Sequence, residues 1–525
     1  MTRGAGSSPA PGAAPTDPAR PDDDIAALAK GGRTNFFGFV IRLLARIPFL
    51  FIAGQLYGPA LLGRFAYAVI VVELAAQLAT LGLKRGLAQQ LSTTDKPHSH
   101  VIADGLLCAF IASALASALL MVFPQAMFPQ NDVRNLEFLL PLVIFGIAGA
   151  DIALAALAYK HDVRSTVHVR AIVEPWVISI AAGLFFYTQF RDDGLILAYV
   201  ASVVAGLAAA LWRLFRSYGM AKGWRPYPGS LLYLARRNVP LAAADAIEWF
   251  SRRLDIAILG LFVAPQYVGI YYVAQQVASM PQKLKTSFDP ILAPVVTQKL
   301  ADGDLRAVAR QVRQVGFWII AAQAGIALAL GIPGEALMGL FGKESAFVGG
   351  TAALAFLLAA EVVAATAAVS EAALVYVARH RNLMISCLMI AMQAALTVGL
   401  ILGMRSLPLG PDELPAWQAA GAALGLALAL GMASILKARL LSRLLGAPVQ
   451  GWRWSLLLAG AAASLVGFGG TLLPEWLELS VGAPAILITF GLVIWYRGFT
   501  DDDRTLFRMG RKERPTLPTS NLTTP

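Results

Sequence analysis

Apolar segments long enough to cross a lipid bilayer recur along almost the whole chain, and they limit the fold more than any other feature. Hydrophobic residues make up 57% of the 525 residues and charged residues only 14%, and the mean hydropathy is +0.63. Inside hydrocarbon every backbone N–H and C=O group needs a partner within the protein. Apolar segments of about 20 residues satisfy this need as helices. The sequence therefore predicts an all-α polytopic membrane protein with about fourteen transmembrane helices.

Lys and Arg residues are distributed unevenly among the predicted loops. Most of the 43 basic residues fall in the two tails and in every second loop. This positive-inside pattern predicts that both termini face the cytosol. The net charge of +11 then follows from topology and from anionic lipid headgroups, so no nucleic-acid partner is required.

Charged residues interrupt one of the predicted spanning segments. Asp245, Glu248, Arg252 and Asp255 follow one another at helical spacing, and Arg253 lies beside them. A charge at bilayer depth costs about 2.5–3.5 kcal/mol on insertion scales, so such a stripe persists only against a partner or a water-filled cavity. The sequence therefore predicts a polar interior.

The charged stretch has a counterpart roughly 200 residues earlier in the chain. Arg42 and Arg46 occupy positions equivalent to Glu248 and Arg252. The residues that follow match without a gap, with Gly54, Pro59, Gly63, Phe65 and Ala68 aligning with Gly260, Pro265, Gly269, Tyr271 and Ala274. We interpret this as an internal duplication that gives two parallel six-helix repeats around a central cavity, plus two extra C-terminal helices.

The predicted organisation has six parts. They are a disordered cytosolic tail (1–33), an N-terminal six-helix repeat (34–216), a cytosolic linker (217–237), a C-terminal six-helix repeat (238–440), two additional transmembrane helices (441–500) and a disordered cytosolic tail (501–525). Both tails lack an apolar core, so we expect neither a packed domain nor a cleavable signal there.

The short loops and the few cysteine and histidine residues exclude several classes of enzyme. The outer loops are too short for the catalytic loop of a membrane polymerase or glycosyltransferase, and Gly342-Lys343-Glu344 lacks the other residues of a phosphate-binding loop. Cys108 and Cys387 lie far apart, and no ligands cluster beside the His residues, so we expect no metal site. Transport remains the function that a duplicated helical bundle with short loops supports.

Two stretches of sequence carry a family resemblance. The first is FFGFVIRLLARIPFLFIAGQLYGPALLGRFAYA, which continues to LATLGLKRGLAQQLS, and the second is LGLFVAPQYVGIYYVAQQVASMPQKLKTSFDPILAPVVTQKLADGD. They resemble the first spans and the seventh and eighth spans of polysaccharide transporters, the O-antigen and exopolysaccharide flippases of the multidrug/oligosaccharidyl-lipid/polysaccharide exporter superfamily.

The resemblance implies a flippase that moves a polyprenyl-diphosphate-linked oligosaccharide from the cytosolic to the periplasmic leaflet of a bacterial plasma (inner) membrane. Its cargo would be an undecaprenyl-diphosphate-linked sugar for lipopolysaccharide, capsule or exopolysaccharide, and its partners would be membrane lipids, a polysaccharide polymerase and glycosyltransferases. No cofactor is implied beyond a coupling H⁺ or Na⁺. One chain encloses the predicted cavity, so a monomer suffices. A cation-coupled multidrug or other lipid exporter and a membrane enzyme of polysaccharide assembly stay open as alternatives.

Four arginines are the predicted contacts to the pyrophosphate: Arg42, Arg46, Arg252 and Arg253. The planar guanidinium group binds phosphate oxygens in pairs and stays charged at every relevant pH. Arg46 and Arg252 are expected to face each other across the cavity because they occupy equivalent positions in the two repeats. The alternative is that these arginines only pair with acidic residues nearby, such as Glu248.

Four carboxylates are predicted to set the charge of the cavity or to bind a coupling cation: Glu73, Asp245, Glu248 and Asp255. Neutralisation of nearby arginines is the alternative role. Asp151 and Glu174 are expected to be interior polar contacts or interfacial groups. Pro281 and Pro290 either form a hinge, since proline kinks a helix, or mark the end of a span.

Overall fold

The computed structural model describes residues 47–129, 136–160, 162–281 and 304–500. Every regular element in these ranges is a helix. Ten helical stretches within them are long and apolar enough to cross a membrane, and a further apolar helix, Trp454–Gly470, is shorter. The chain is therefore a multi-pass membrane protein, and the predicted all-α fold is confirmed. The count of fourteen transmembrane helices stays a prediction.

Seven helices make up the first half of the described chain. They are α1 (residues 47–57), α2 (Gly58–Ala79), α3 (Leu83–Ser92), α4 (His98–Val122), α5 (Val143–Tyr159), α6 (residues 163–186) and α7 (Gly194–Tyr218). Pro59 lies in the first turn of α2, where its missing N–H removes no helical hydrogen bond. A π-helical turn, His168–Val173, lies within α6.

Nine longer helices make up the second half of the described chain. They are α8 (Pro228–Ser251), α9 (Leu254–Phe262), α10 (residues 265–281), α11 (Leu305–Gly331), α12 (Thr351–Val377), α13 (Arg379–Met404), α14 (Leu414–Leu445), α15 (Trp454–Gly470) and α16 (Glu475–Gly498). Arg252 and Arg253 form a break between α8 and α9.

The packing separates a buried interior from an apolar exterior. One cluster of buried apolar side chains includes residues of α1–α10 and α12–α14, and a second joins α11, α12 and α14–α16. Large apolar side chains on the outside are exposed, as at Leu115 (69%) and Leu465 (76%). Such exposure is expected of a surface that faces lipid, because lipid tails are as apolar as leucine.

Helices α2 and α10 approach each other backbone to backbone beside the two turns that contain Pro59 and Pro265. A Cβ atom on Gly63 would lie 1.7 Å from the carbonyl oxygen of Pro265, and one on Gly269 would lie 2.1 Å from that of Pro59. We call this the proline-end contact. It joins the two halves of the protein through residues that the sequence had aligned as equivalents.

Candidate functional site

A cavity of about 580 Å³ lies between the first half of the protein and residues of the break and of α10. Its polar lining residues are Glu73, Gln77, Lys84, Asp151, Thr166, Arg170, Glu174, Tyr199, Ser202, Arg253, Tyr272 and Gln276. Aromatic and aliphatic side chains, among them Phe49 and Phe65, complete the wall. The polar interior that the sequence predicted is therefore present as a defined chamber.

An ion network on α5 and α6 forms one wall of the cavity. Arg170, within the π-helical turn of α6, donates a hydrogen bond to Asp151 of α5 and another, of 2.6 Å, to Glu174 one turn further along α6. Lys84 Nζ lies 3.7 Å from Asp151 Oδ2. Charge-assisted hydrogen bonds of this kind hold both partners in place in a medium of low dielectric constant.

The neighbouring helix α7 makes room for this network. A Cβ atom on Gly206 would lie 2.6 Å from Glu174 Oε1, so only glycine fits the observed position of that carboxylate. Ser202, one turn earlier on α7, donates a hydrogen bond of 2.8 Å to the backbone carbonyl of Glu174. Two positions on α7 thus contact Glu174, Ser202 at its backbone and Gly206 beside its carboxylate.

A second pair of charges links the two halves of the protein across the cavity. Glu73 of α2 accepts a hydrogen bond of 3.1 Å from the Tyr199 hydroxyl. Its other oxygen lies 3.8 Å from Nη2 of Arg253, and both side chains are about one quarter exposed (26% each). Arg253 also lies over the ring of Trp249, at 5.3 Å from the centroid. A distance of 3.8 Å exceeds that of a direct hydrogen bond, so this pair is loose.

The described lining is balanced in charge. Three cations, Lys84, Arg170 and Arg253, lie opposite three carboxylates, Glu73, Asp151 and Glu174. Arg170 lies between two carboxylates and is more than neutralised, whereas Arg253 has one distant carboxylate and Lys84 is about half exposed. An incoming anion would therefore meet the least neutralised positive charge at Arg253 and Lys84.

The predicted pyrophosphate contacts separate into three groups. Arg253 lines the cavity. Arg252 is exposed and does not belong to the lining; it directly follows the end of α8. Arg42 and Arg46 lie outside the described residues, so their contact with a pyrophosphate stays a prediction.

The predicted cavity carboxylates also occupy different surroundings. Glu73 lines the cavity, while Asp245 pairs with Arg85 of α3, with 2.7 Å between Oδ1 and Nε. Asp255 is fully buried and accepts a hydrogen bond of 2.5 Å from the Tyr271 hydroxyl. Glu248 belongs to α8, but its side chain lies outside the described part of the chain. A role in binding a coupling cation stays a prediction for all four.

The two predicted hinge residues differ in what the structure describes. Pro281 is the last described residue of α10, and its carbonyl accepts a hydrogen bond of 3.3 Å from Gln323 of α11. Pro290 lies outside the described residues. Whether either residue acts as a hinge stays a prediction.

Sequence reasoning missed Arg170 and Lys84 as cavity residues. Asp151 and Glu174 had been expected to be interior polar or interfacial groups, and they line the cavity together with Arg170. One signal was present, since Arg170 and Glu174 are four residues apart at the start of a predicted span, which is the spacing of a helical ion pair. No group of three or more His, Cys, Asp or Glu side chains suited to a metal occurs in the described ranges.

The bundle and the cavity define the class to which the protein belongs: helical membrane proteins in which two halves enclose a charged chamber. A family model described as polysaccharide biosynthesis protein matches residues 54–329. The chain belongs to that family. Among proteins with curated functions, none matches this sequence.

Solved structures of transporters and flippases share this fold. The lipid II flippase MurJ in an inward closed conformation aligns with a TM-score of 0.60 and 12% identity over 88% of this chain and 98% of that one. An inward-facing multidrug resistance MATE family transporter of the MOP superfamily aligns with a TM-score of 0.58 and 14% identity over 78% of this chain and 94% of that one. An outward-facing multidrug resistance MATE family transporter aligns with a TM-score of 0.54 and 15% identity over 80% of this chain and 96% of that one. At these identities the likeness shows the fold.

Proposed function

We propose that the protein is a flippase that moves a polyprenyl-diphosphate-linked oligosaccharide across the bacterial inner membrane, from the cytosolic to the periplasmic leaflet. Membership of the polysaccharide biosynthesis family and the fold shared with a lipid II flippase support this proposal. The cargo would be an undecaprenyl-diphosphate-linked sugar used for lipopolysaccharide, capsule or exopolysaccharide. Glycosyltransferases would supply it and a polymerase would consume it.

The observation that carries the proposal is the loose pair of Arg253 and Glu73 in the cavity wall. A diphosphate must leave water to cross about 30 Å of hydrocarbon, so it needs charged partners along the route. At 3.8 Å the carboxylate of Glu73 makes no direct hydrogen bond to Arg253, so a phosphate oxygen can take its place at small cost. The guanidinium group of Arg253 could then bind two phosphate oxygens at once.

Alternating access of the two halves would carry the bound headgroup between leaflets while the lipid tail stays in the bilayer. Both termini would face the cytosol, and one chain would suffice. A gradient of H⁺ or Na⁺ would drive the cycle, with the cavity carboxylates as the groups that bind the ion.

Replacement of Arg253 by Gln tests this function. The variant Arg253→Gln should be made at the normal level in the membrane, while undecaprenyl-linked sugar accumulates on the cytosolic face and surface polysaccharide falls about tenfold, the effect of about 1.4 kcal/mol of lost binding. The matched control is Arg405→Gln, which removes the same charge beside Phe262, outside the cavity lining. Normal surface polysaccharide in the Arg253 variant would exclude the proposed role.

The carboxylates of the lining favour a second candidate function, a cation-coupled exporter of small cationic drugs or of another lipid. Glu73, Asp151 and Glu174 supply three negative groups to the cavity. A cationic load would be bound by these groups rather than by Arg253. Efflux of ethidium from cells that express the protein, abolished by Glu174→Gln and unaffected by Arg253→Gln, would support this alternative over the flippase.

A further inference from the structure

Asp151 is a polar residue in an otherwise apolar face of α5. The other residues of α5 that line the cavity are Ile147, Leu154 and Ala155, which lie one turn before or after it. The Asp151 side chain is only 9% exposed. A carboxylate that is nearly removed from water is unfavourable unless its oxygens accept hydrogen bonds. Each of its two oxygens therefore needs a donor.

The two oxygens of Asp151 are not equally satisfied. Oδ1 accepts a hydrogen bond from Arg170. Oδ2 accepts no direct hydrogen bond within the part of the chain that the structure describes, and Nζ of Lys84 lies 3.7 Å from it. That distance is beyond the usual range of such a bond, about 2.7–3.2 Å. An ionised carboxylate only accepts hydrogen bonds, so Oδ2 can take one from a hydroxyl or amide group of a ligand in the cavity.

Neutralisation of Arg170 alone does not explain Asp151. Glu174, one turn further along α6, already places a carboxylate oxygen 2.6 Å from the same guanidinium group. A diphosphate bound at Arg253 would also attract Lys84, the cation beside Oδ2. With a diphosphate in the cavity, Oδ2 would be a buried acceptor that still needs a donor.

The surroundings of Asp151 suit an uncharged sugar. A sugar ring presents hydroxyl groups along its edge and C–H groups on its faces. Oδ2 would accept a hydrogen bond from a hydroxyl group, while Ile147 and the ring of Phe65 offer apolar surface. The side chains of Gln77 and Gln276 also line the cavity and make no hydrogen bond to any described residue, so they can pair with further hydroxyl groups.

A carboxylate on the same sugar would be unfavourable in this place. It would bring a second negative charge and more acceptors to Asp151, and like charges repel strongly where the dielectric constant is low. A hexose and its uronic acid differ only in the oxidation of C6 to a carboxylate. The site therefore favours the hexose over the uronic acid.

We propose that Asp151 determines which sugar is carried next to the diphosphate: Oδ2 accepts a hydrogen bond from a hydroxyl group of that sugar, and the sugar carries no carboxylate. The inference rests on the proposed flippase function and narrows the substrate class of the same cavity. Uronic acids are excluded from the first position of the glycan.

Synthetic farnesyl diphosphates that carry one sugar test this inference. Glucose, galactose, N-acetylglucosamine and glucuronic acid are attached in turn, and the methyl ester of farnesyl diphosphate is the reference without a sugar. Isothermal titration of the purified full chain in detergent measures each affinity. The best neutral sugar should bind about tenfold more tightly than the methyl ester. Glucuronic acid should bind no more tightly than the methyl ester.

Asp151→Asn should reduce this preference. The variant keeps an acceptor for Arg170 and replaces Oδ2 by a neutral amide, and neutral hydrogen bonds are about half as strong as charge-assisted ones. Loss of a negative charge should raise the affinity for every ligand. The advantage of the best neutral sugar over the methyl ester should nevertheless fall to about threefold, and glucuronic acid should bind within about twofold of glucose.

The matched control is Asp104→Asn, which changes an equally buried carboxylate of α4 (8% exposed, as is Asp151) outside the cavity lining. It should keep the tenfold advantage. If Asp151 only holds Arg170 in place, its variant would change the affinity for the methyl ester and for the sugars by the same factor. That result, or glucuronic acid binding the parent as tightly as the best neutral sugar, would overturn the inference.

Arg253→Gln separates this inference from the function on which it rests. If the methyl ester does not bind the parent protein, or binds Arg253→Gln equally well, the proposed function fails and this inference fails with it. If the methyl ester binds through Arg253 and no neutral sugar adds affinity, the flippase proposal stands and only the role of Asp151 is excluded.

Discussion

Asp255 accepts a hydrogen bond of 2.5 Å from the hydroxyl of Tyr271, whereas the equivalent residues of the first repeat, Phe49 and Phe65, pack edge to face with their ring centroids 5.8 Å apart. The same two positions therefore hold a polar pair in one repeat and an apolar pair in the other. The first repeat forms the corresponding helices, α1 and α2, with no carboxylate at this place. The polar pair is a property of the second repeat.

Removal of the Tyr271 hydroxyl should destabilise the protein. Tyr271→Phe leaves the fully buried carboxylate of Asp255 without its shortest hydrogen bond, which costs about 1–3 kcal/mol. Thermal unfolding in detergent measures the loss. The matched control is Tyr267→Phe, whose hydroxyl makes only an exposed contact of 3.4 Å to Asp412. The double variant Asp255→Phe with Tyr271→Phe imitates the first repeat and should recover part of the stability; a further loss would contradict this account.

Glu73→Gln should strengthen the binding of a diphosphate. The change removes the negative charge beside Arg253 while the shape of the side chain is kept. Titration of the purified protein with inorganic diphosphate at low ionic strength should show affinity about fivefold higher, an effect near 1 kcal/mol. Glu413→Gln, an exposed position with the same change of charge, is the control. Equal affinity in both variants would show that Glu73 does not compete for the anion.

Gly206→Ala should impair transport without weakening the helix. The added Cβ atom would lie 2.6 Å from Glu174 Oε1 and would displace that carboxylate from Arg170. Alanine is more favourable than glycine inside a helix by about 1 kcal/mol, so a loss of helix stability cannot explain a loss of function. Surface polysaccharide, normalised to the amount of protein in the membrane, measures the effect. Gly183→Ala, with open space around it, should behave like the parent protein.

The contributions of Arg64 and Glu137 to the free energy of unfolding should depend strongly on each other. Nε and Nη2 of Arg64 donate hydrogen bonds of 2.5 and 2.6 Å to the two carboxylate oxygens of Glu137, which is 2% exposed. Arg64→Met should cost about 3 kcal/mol because it leaves a buried charge without its cation. Adding Glu137→Gln should recover much of that loss, as measured by a double-mutant cycle. Additive losses would show that the two side chains act independently.

Composition and spacing were sufficient to predict the helical bundle and the polar interior. The hydrophobic runs leave helices as the only regular structure that such segments can form, and the aligned Gly63 and Gly269 do meet between the halves. The position of Arg252 could not be predicted, because helical spacing assumes a continuous helix and α8 ends at Ser251. The ion network around Arg170 depends on the packing of α5 against α6. Local sequence patterns do not show which helices pack together, so this network could not be predicted.

The size of the cavity limits how much of a cargo it can enclose. Pockets of about 300–1,000 Å³ hold one drug-sized molecule, and the 580 Å³ here falls within that range. On the proposed function, the diphosphate and the sugar attached to it would occupy this volume, and the remaining sugars would extend into water. The cavity would then contact only the sugars next to the diphosphate, at the reducing end of the glycan. Glycans that differ only at their far end would be transported equally well.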